Sequence, residues 1–229
     1  MRDRRVLVTL PAVLIILVVA LQPAVGLARA QSSQALTADQ RAEIERWWDA
    51  QPKINMPFEN DGAKVLIVEF TDLQCPFCRQ KYIELKPVLD KYAGRPKDVK
   101  FLLRHWPINT ACNQVSRTLH PSACDAAAAV VMARRHGTAD TLVDWLFLHQ
   151  AELSPATIRS AAAEVGKITD FDGQYARALQ EVRTDGALGS SLGVSSTPSF
   201  FINGRRLPGG GVAPQYFDAL IDLEIKRAK

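Results

Sequence analysis

Hydrophobic and polar positions along this 229-residue chain fall into blocks of different period. Val65-Leu66-Ile67-Val68-Glu69-Phe70 is an almost continuous apolar run rich in β-branched residues, the pattern of a central strand buried on both faces. Glu69 is the anomaly within it. After the short loop 71–74 the pattern predicts a helix from near Cys75 to Tyr92, with Pro87 as a kink. Val99 to Arg104 is the next strand and completes a β-α-β unit, whose right-handed crossover sets the two strands parallel. From Pro121 to Gly189 helix formers dominate and predict helices over 123–136, 138–150, 155–166 and 170–189, broken at Gly137, Ser154-Pro155 and Gly166. Ser199-Phe200-Phe201-Ile202, the Asn203-Gly204 turn and Arg205-Arg206-Leu207 predict a hairpin, because Asn-Gly supplies the positive φ angles a tight turn requires. A last helix is expected over 214–229, with Lys226 and Arg227 complementing its dipole.

Upstream, Thr37 can cap a helix over 38–50 that closes on Trp47 and Trp48, read as packing residues, and 51–62 is loop. The order strand, helix, strand, helical block, hairpin, helix predicts one α/β layer with a helical insertion over about 121–190.

The N-terminus has a different pattern. Met1 to Arg5 is charged, and Val6 to Leu21 is an apolar run interrupted only by Thr9 and Pro11. With Ala28-Arg29-Ala30 following, residues 1–30 read as an export signal cleaved after Ala30. The alternative is a retained membrane anchor, since Val6 to Ala28 reaches the roughly 20 residues of a hydrocarbon span. Either way the body faces the extracytoplasmic side, in the periplasm or cell envelope.

Composition adds two exclusions. At 47% hydrophobic and 23% charged residues the chain can build a core, which rules out disorder and low-complexity architecture. The net charge is +4, but Arg2, Arg4, Arg5 and Arg29 against Asp3 hold most of it within the first 30 residues. The near-neutral remainder lacks the basic footprint of a nucleic-acid binder.

The chemistry concentrates at Cys75-Pro76-Phe77-Cys78. Two cysteines three apart at a helix start bring both sulfurs within disulfide reach, and the helix N-terminus stabilises the Cys75 thiolate. Cys75 is then attacking nucleophile and leaving group, and Cys78, one turn deeper, resolves the mixed disulfide. A permanent disulfide here would constrain little of the unfolded chain. A zinc site would recruit Cys112 and Cys124, whose spacing of 12 is unlike a second zinc knuckle, and Arg79 after Cys78 excludes haem attachment. We expect no metal and no cofactor. His105, His120, His136 and His149 are scattered and read as structural or surface residues.

Val68 to Cys78, followed by Thr197-Pro198-Ser199-Phe200-Phe201-Ile202-Asn203-Gly204, resembles the thioredoxin superfamily, and the large helical insertion resembles its DsbA-like branch of thiol–disulfide oxidoreductases. The resemblance covers roughly 62–225, and it implies a thioredoxin-like domain over 62–229 behind a linker and N-terminal helix over 31–61. It implies Cys75 as nucleophile, Cys78 as resolving cysteine, and Thr197-Pro198 as a cis-proline loop. With Pro76 and Phe77 that loop would bind substrate backbone. It also implies Glu69 as a buried acid that relays protons for the resolving thiol, against the plainer alternative of a solvated strand-end Glu. One departure stands out. The DsbA prototype has His where this chain has Phe77, so a cation beside the thiolate is missing and strong oxidising power is not implied.

Cys112 and Cys124 enclose a polar loop and, in an exported protein, most simply form a structural disulfide worth about 3 kcal/mol. A redox relay is the alternative. Trp106 to Asn113, with a later cysteine before an Ala-rich helix, also resembles thioredoxin-like domains associated with vitamin K epoxide reductase homologues. That implies a membrane quinone reductase of that type or of DsbB type as redox partner, with cysteine-containing exported proteins as substrates. The favoured direction is disulfide donation. A reductase or isomerase would use the same residues, and a thiolate copper chaperone is the more distant alternative. No dimerisation stalk is visible, and a monomer is expected.

Overall fold

The computed structural model describes residues 36–228. The signal or anchor segment of residues 1–30 lies outside the described residues. Helix α1 (Ala38–Asp49) starts at Thr37, whose hydroxyl accepts from the Gln40 amide while the Gln40 side chain accepts from the Thr37 amide. This reciprocal cap satisfies two otherwise orphaned donors. Strand β1 (Val65–Thr71), helix α2 (Pro76–Ala93) and strand β2 (Val99–His105) form the β-α-β unit. The insertion follows as α3 (Ala123–Arg134), α4 (Ala139–Leu148), α5 (Pro155–Glu164) and α6 (Phe171–Ser191), with a short 3-10 turn at Gln150–Glu152. The chain closes with β3 (Ser199–Ile202), β4 (Arg205–Arg206) and α7 (Pro214–Arg227). Pro87 lies inside α2, which continues past it to Ala93.

The sheet order is β2-β1-β3-β4, with β1 parallel to β2 and antiparallel to β3. Every residue of β1 is buried, as its continuous apolar pattern predicts for a strand covered on both faces. Alternation divides the contacts. Val65 and Ile67 join Leu85, Phe217 and Leu220 on the α2 and α7 side, while Leu66, Val68 and Phe70 join Trp106 and Phe201 on the other. At the hairpin, Asn203 (φ 46°) and Gly204 (φ 82°) take the left-handed conformations the turn requires.

The insertion has its own core. Helix α3 is buried from Ala126 to Ala133 around its full circumference, because α4, α5 and α6 pack on it from different sides. Alanine keeps those neighbours close without the volume of larger side chains. Helix α6 then reaches the sheet: a Cβ at Gly189 would sit 2.8 Å from Trp106 and 2.9 Å from Phe70, so only glycine permits this approach. Cys75 and Cys78 belong to the same apolar cluster as α3, which places the motif at the seam between sheet layer and insertion.

Docking of α1 on α7 adds to one local expectation. Arg227 is not simply a complement to its helix dipole: its guanidinium bonds Asp49 at 2.6 Å and Glu45 at 2.8 Å on α1. Trp48 is fully buried and donates to Glu224 at 2.8 Å, while Asn203 donates to the other Glu224 oxygen at 2.7 Å. Glu224 thereby ties α1, α7 and the hairpin turn together.

Candidate active site

Cys75 occupies the N-cap of α2 and Pro76 its first turn. Proline suits that position because its missing N–H would be an orphan donor anyway. Cys75 and Cys78 are unbonded thiols, both buried. The two are electrostatically unequal. Hydrogen bonding from Cys78, helped by the Cys78 and Phe77 amides and by Thr197, brings the Cys75 thiol down to about 6 against the opposing effect of burial. Burial pushes Cys78 far up, reinforced by the neighbouring Cys75. One sulfur is therefore ionised at neutral pH while the other keeps its proton.

Thr197 and Pro198, joined by a cis peptide, lie opposite: the Cys75 sulfur is 3.7 Å from the Thr197 carbonyl oxygen. Phe77 is the most exposed large apolar side chain described, at 70%. Cys75, Pro76, Phe77 and Thr197 line one groove of about 730 Å³, continued by Trp106, Ile108 and Val194. Such a mostly apolar cleft beside a reactive sulfur can accept an extended chain.

Glu69 is buried, and burial raises its carboxyl to about 7, partly offset by Thr71. Thr71 lies two residues further along the same face of β1 and also lowers Cys78. Neither Glu69 Oε1 nor Thr71 Oγ1 has a hydrogen-bond partner among the described residues. A buried acid that titrates near neutrality can hold or release a proton. The solvated alternative for Glu69 does not apply.

Cys112 and Cys124 are disulfide-bonded with their Cα atoms 6.0 Å apart, and close the loop between β2 and α3. This loop is fastened to the Cys75 turn by residues that local pattern did not mark. Buried Asp72 accepts from the Gln74 amide at 2.8 Å, from the Ile108 amide at 2.7 Å and from His120 Nδ1 at 2.7 Å. The Ser122 amide donates to Gln74 at 2.8 Å. From the insertion, Gln150 donates to the carbonyls of Leu73 and Cys75 at 2.9 and 3.0 Å. The Asp72 amide itself points at the Cys78 sulfur, 3.4 Å away.

The four histidines, expected to be structural or surface residues, differ in where the fold puts them. Burial keeps His105 neutral, consistent with a packing role. His120 lines the same groove as Cys75 and is bonded to a carboxylate, because the loop closed by Cys112 and Cys124 folds back over the start of α2.

Comparison with known proteins bears on the fold. A family profile described as thioredoxin matches residues 59–222. The fold is similar to α-DsbA1 of Wolbachia pipientis (TM-score 0.62, 19% identity, 76% of this chain and 94% of that one). It is also similar to oxidised BdbD of Bacillus subtilis (TM-score 0.57, 20% identity, 78% and 94%). Among curated sequences, the Na(+)/H(+) antiporter NhaA 3 of Salinispora tropica is 29% identical over 189 residues, 80% of this chain and 27% of the antiporter. The chain thus spans about a quarter of the length of the curated relatives it matches, and their ion transport is not carried over. The chain belongs to the thioredoxin family, and its four-stranded sheet with an inserted helical block has the fold of the DsbA-like structures.

Proposed function

We propose that this protein is an extracytoplasmic thiol–disulfide oxidoreductase that donates the Cys75–Cys78 disulfide to cysteine-containing exported proteins. The observation that carries the proposal is the opposite displacement of two sulfurs one helical turn apart: Cys75 is drawn down to about 6 and Cys78 pushed up by burial. In the oxidised protein a substrate thiolate attacks Cys75, the Cys75–Cys78 bond breaks, and the electron pair leaves on Cys78. Buried Cys78 needs a proton at that moment, and in this scheme Glu69, a buried acid on β1 with its carboxyl raised to about 7, supplies it. A second substrate thiolate attacks the substrate sulfur of the mixed disulfide and releases Cys75 as the stabilised thiolate. The substrate loses two electrons and the Cys75–Cys78 pair gains them.

Pro76, Phe77, Thr197 and Pro198 are the substrate-binding residues of this scheme. Pro198 has no N–H, so an incoming backbone meets an edge free of a competing donor. Reoxidation then falls to a membrane quinone reductase of the vitamin K epoxide reductase or DsbB type. The Cys112–Cys124 bond serves as a structural clamp on the loop that faces the groove.

The test is the reduction potential of the full chain equilibrated with glutathione buffers, with Cys75→Ser as control. A value of about −120 to −180 mV supports disulfide donation. A value near −270 mV overturns it and makes the protein a reductase supplied with electrons from elsewhere.

A further inference from the structure

Sequence pattern leaves the thiolate without a cation, because Phe77 stands where the DsbA prototype has a histidine. The fold brings one from elsewhere. We propose that His120, held by Asp72 at the wall of the groove, is a positioning residue that supplies the positive charge opposite the Cys75 thiolate. This rests on Cys75–Cys78 being the redox pair.

The argument starts at Asp72. Its carboxylate is buried and accepts three hydrogen bonds, from the Gln74 amide, the Ile108 amide and His120 Nδ1. With amides already donating to both Asp72 oxygens, the network is completed by assigning Nδ1 of His120 as the third donor. The other ring nitrogen, Nε2, is then the one that titrates.

The backbone around His120 is fixed on both sides. Its amide donates to the Ile108 carbonyl at 3.2 Å, and its carbonyl accepts from Asn109 Nδ2 at 3.0 Å and from the Ala123 amide at 3.2 Å. The Ser122 amide is tied to Gln74, and the Cys112–Cys124 bond closes the loop. The backbone is thereby tied down, the Asp72 hydrogen bond orients the ring, and the side chain is only 16% exposed.

The groups facing His120 are few. Asp72 comes from the β1–α2 loop, Cys75 from the start of α2, and Arg117 from the same loop as His120. The α6 side and the segment before β3 contribute Ser190, Ser195, Ser196 and Thr197, none of them charged. The hydrogen bond to Asp72 raises the imidazole above its usual value against burial, and the charges of Asp72 and Cys75 raise it further. Arg117 is the one like charge in the groove wall. Asp72 also touches the other sulfur, since its amide lies 3.4 Å from Cys78. A single residue thus orients the cation and contacts the resolving cysteine.

Coupling of this kind is reciprocal. If the imidazolium stabilises the thiolate, the thiolate must stabilise the imidazolium by the same factor. Oxidation of the pair to a disulfide removes two electrons and the Cys78 proton, deletes the negative charge at Cys75, and lowers the proton affinity of His120.

The experiment uses the full chain with its natural sequence. The imidazole resonances are titrated by NMR in the reduced and the oxidised protein, and that of His120 is assigned by correlation to its own backbone resonances. The expected result is a proton affinity of His120 about tenfold higher in the reduced form. His120→Gln should weaken the Cys75 thiolate by a similar factor, read by ultraviolet thiolate absorbance, and shift the glutathione equilibrium about tenfold, or roughly 30 mV, toward the disulfide. His120→Lys should restore part of both. Equal His120 proton affinities in the two redox states would overturn the inference even where His120→Gln fails to fold. So would an unchanged thiolate titration in a folded His120→Gln. A pair that never equilibrates with glutathione is a different failure, which removes the oxidoreductase reading and this inference with it.

Discussion

The two cysteine pairs sit in one apolar cluster, yet they are built for opposite ends. Cys75 and Cys78 are one helical turn apart, unbonded, and surrounded so unequally that one sulfur is drawn toward ionisation and the other away from it. Cys112 and Cys124 are twelve residues apart and bonded across a loop. The contrast shows that burial alone does not make a sulfur inert or reactive. Cys75 is as buried as Cys124, at 4% each, but only Cys75 faces helix amides and a groove. What distinguishes the pairs is where unpaired donors and charge lie around the sulfur.

The sharpest way to break the comparison is to remove one sulfur from each pair. Cys75→Ser should reduce oxidation of a dithiol peptide to the uncatalysed background, because no other described thiol is both ionised and on the groove. Cys112→Ala combined with Cys124→Ala should leave turnover measurable but lower stability by about 3 kcal/mol in a denaturant titration, the entropy of a loop of that size. A double variant that loses turnover while still folded would mean that the second pair relays electrons.

Glu69 probes what the Cys75–Cys78 pair demands of its surroundings. Its carboxyl titrates at about 7 in the fold, against 4.5 when free, so the native state holds this proton longer than the unfolded chain does. The stability it contributes is complete below 4.5 and is lost as the pH rises through about 7. Glu69→Gln should therefore be more stable than the natural chain by roughly 3 kcal/mol near pH 8, and about equal to it near pH 4. The cysteine contributions cancel in that difference. The same variant should slow release of substrate from the mixed disulfide, seen as accumulation of the linked species in a quenched reaction. A gain in stability with no change in release would leave Glu69 as a strained buried acid without a proton-transfer role.

These contrasts differ in how far they could be seen in the sequence. The strands and helices were legible because their signals are local: β1 is apolar at nearly every position, the Asn203-Gly204 turn has its own chemistry, and α3 is alanine-rich throughout. The two sulfurs and Pro198 were legible because short motifs carry them. Glu69 announced itself as a carboxylate in an apolar strand. The Asp72–His120 pair had no such mark, since 48 residues separate the partners and nothing in either local sequence points to the other. Arg227 fits a helix-dipole rule locally, and only the docking of α1 shows that Asp49 and Glu45 claim it. What stays hidden is the set of contacts made when loops and insertions fold back on the layer that the periodicity reveals.

Phe77→His gives the smallest effect and tests how much a cation's position matters to the first pair. It places an imidazole inside the motif, but at a site 70% exposed to water, where charge interactions are screened. His120, with its side chain only 16% exposed and bonded to a buried carboxylate, works in a drier and more fixed setting. Adding the exposed histidine should therefore favour the reduced form by less than 1 kcal/mol, or about 15 mV in the glutathione equilibrium, and high salt should erase most of it. The contribution of His120 should resist the same salt. A Phe77→His shift of 60 mV or more, roughly a hundredfold, would show that charge within the dipeptide dominates and that the groove-wall cation is the lesser influence on Cys75.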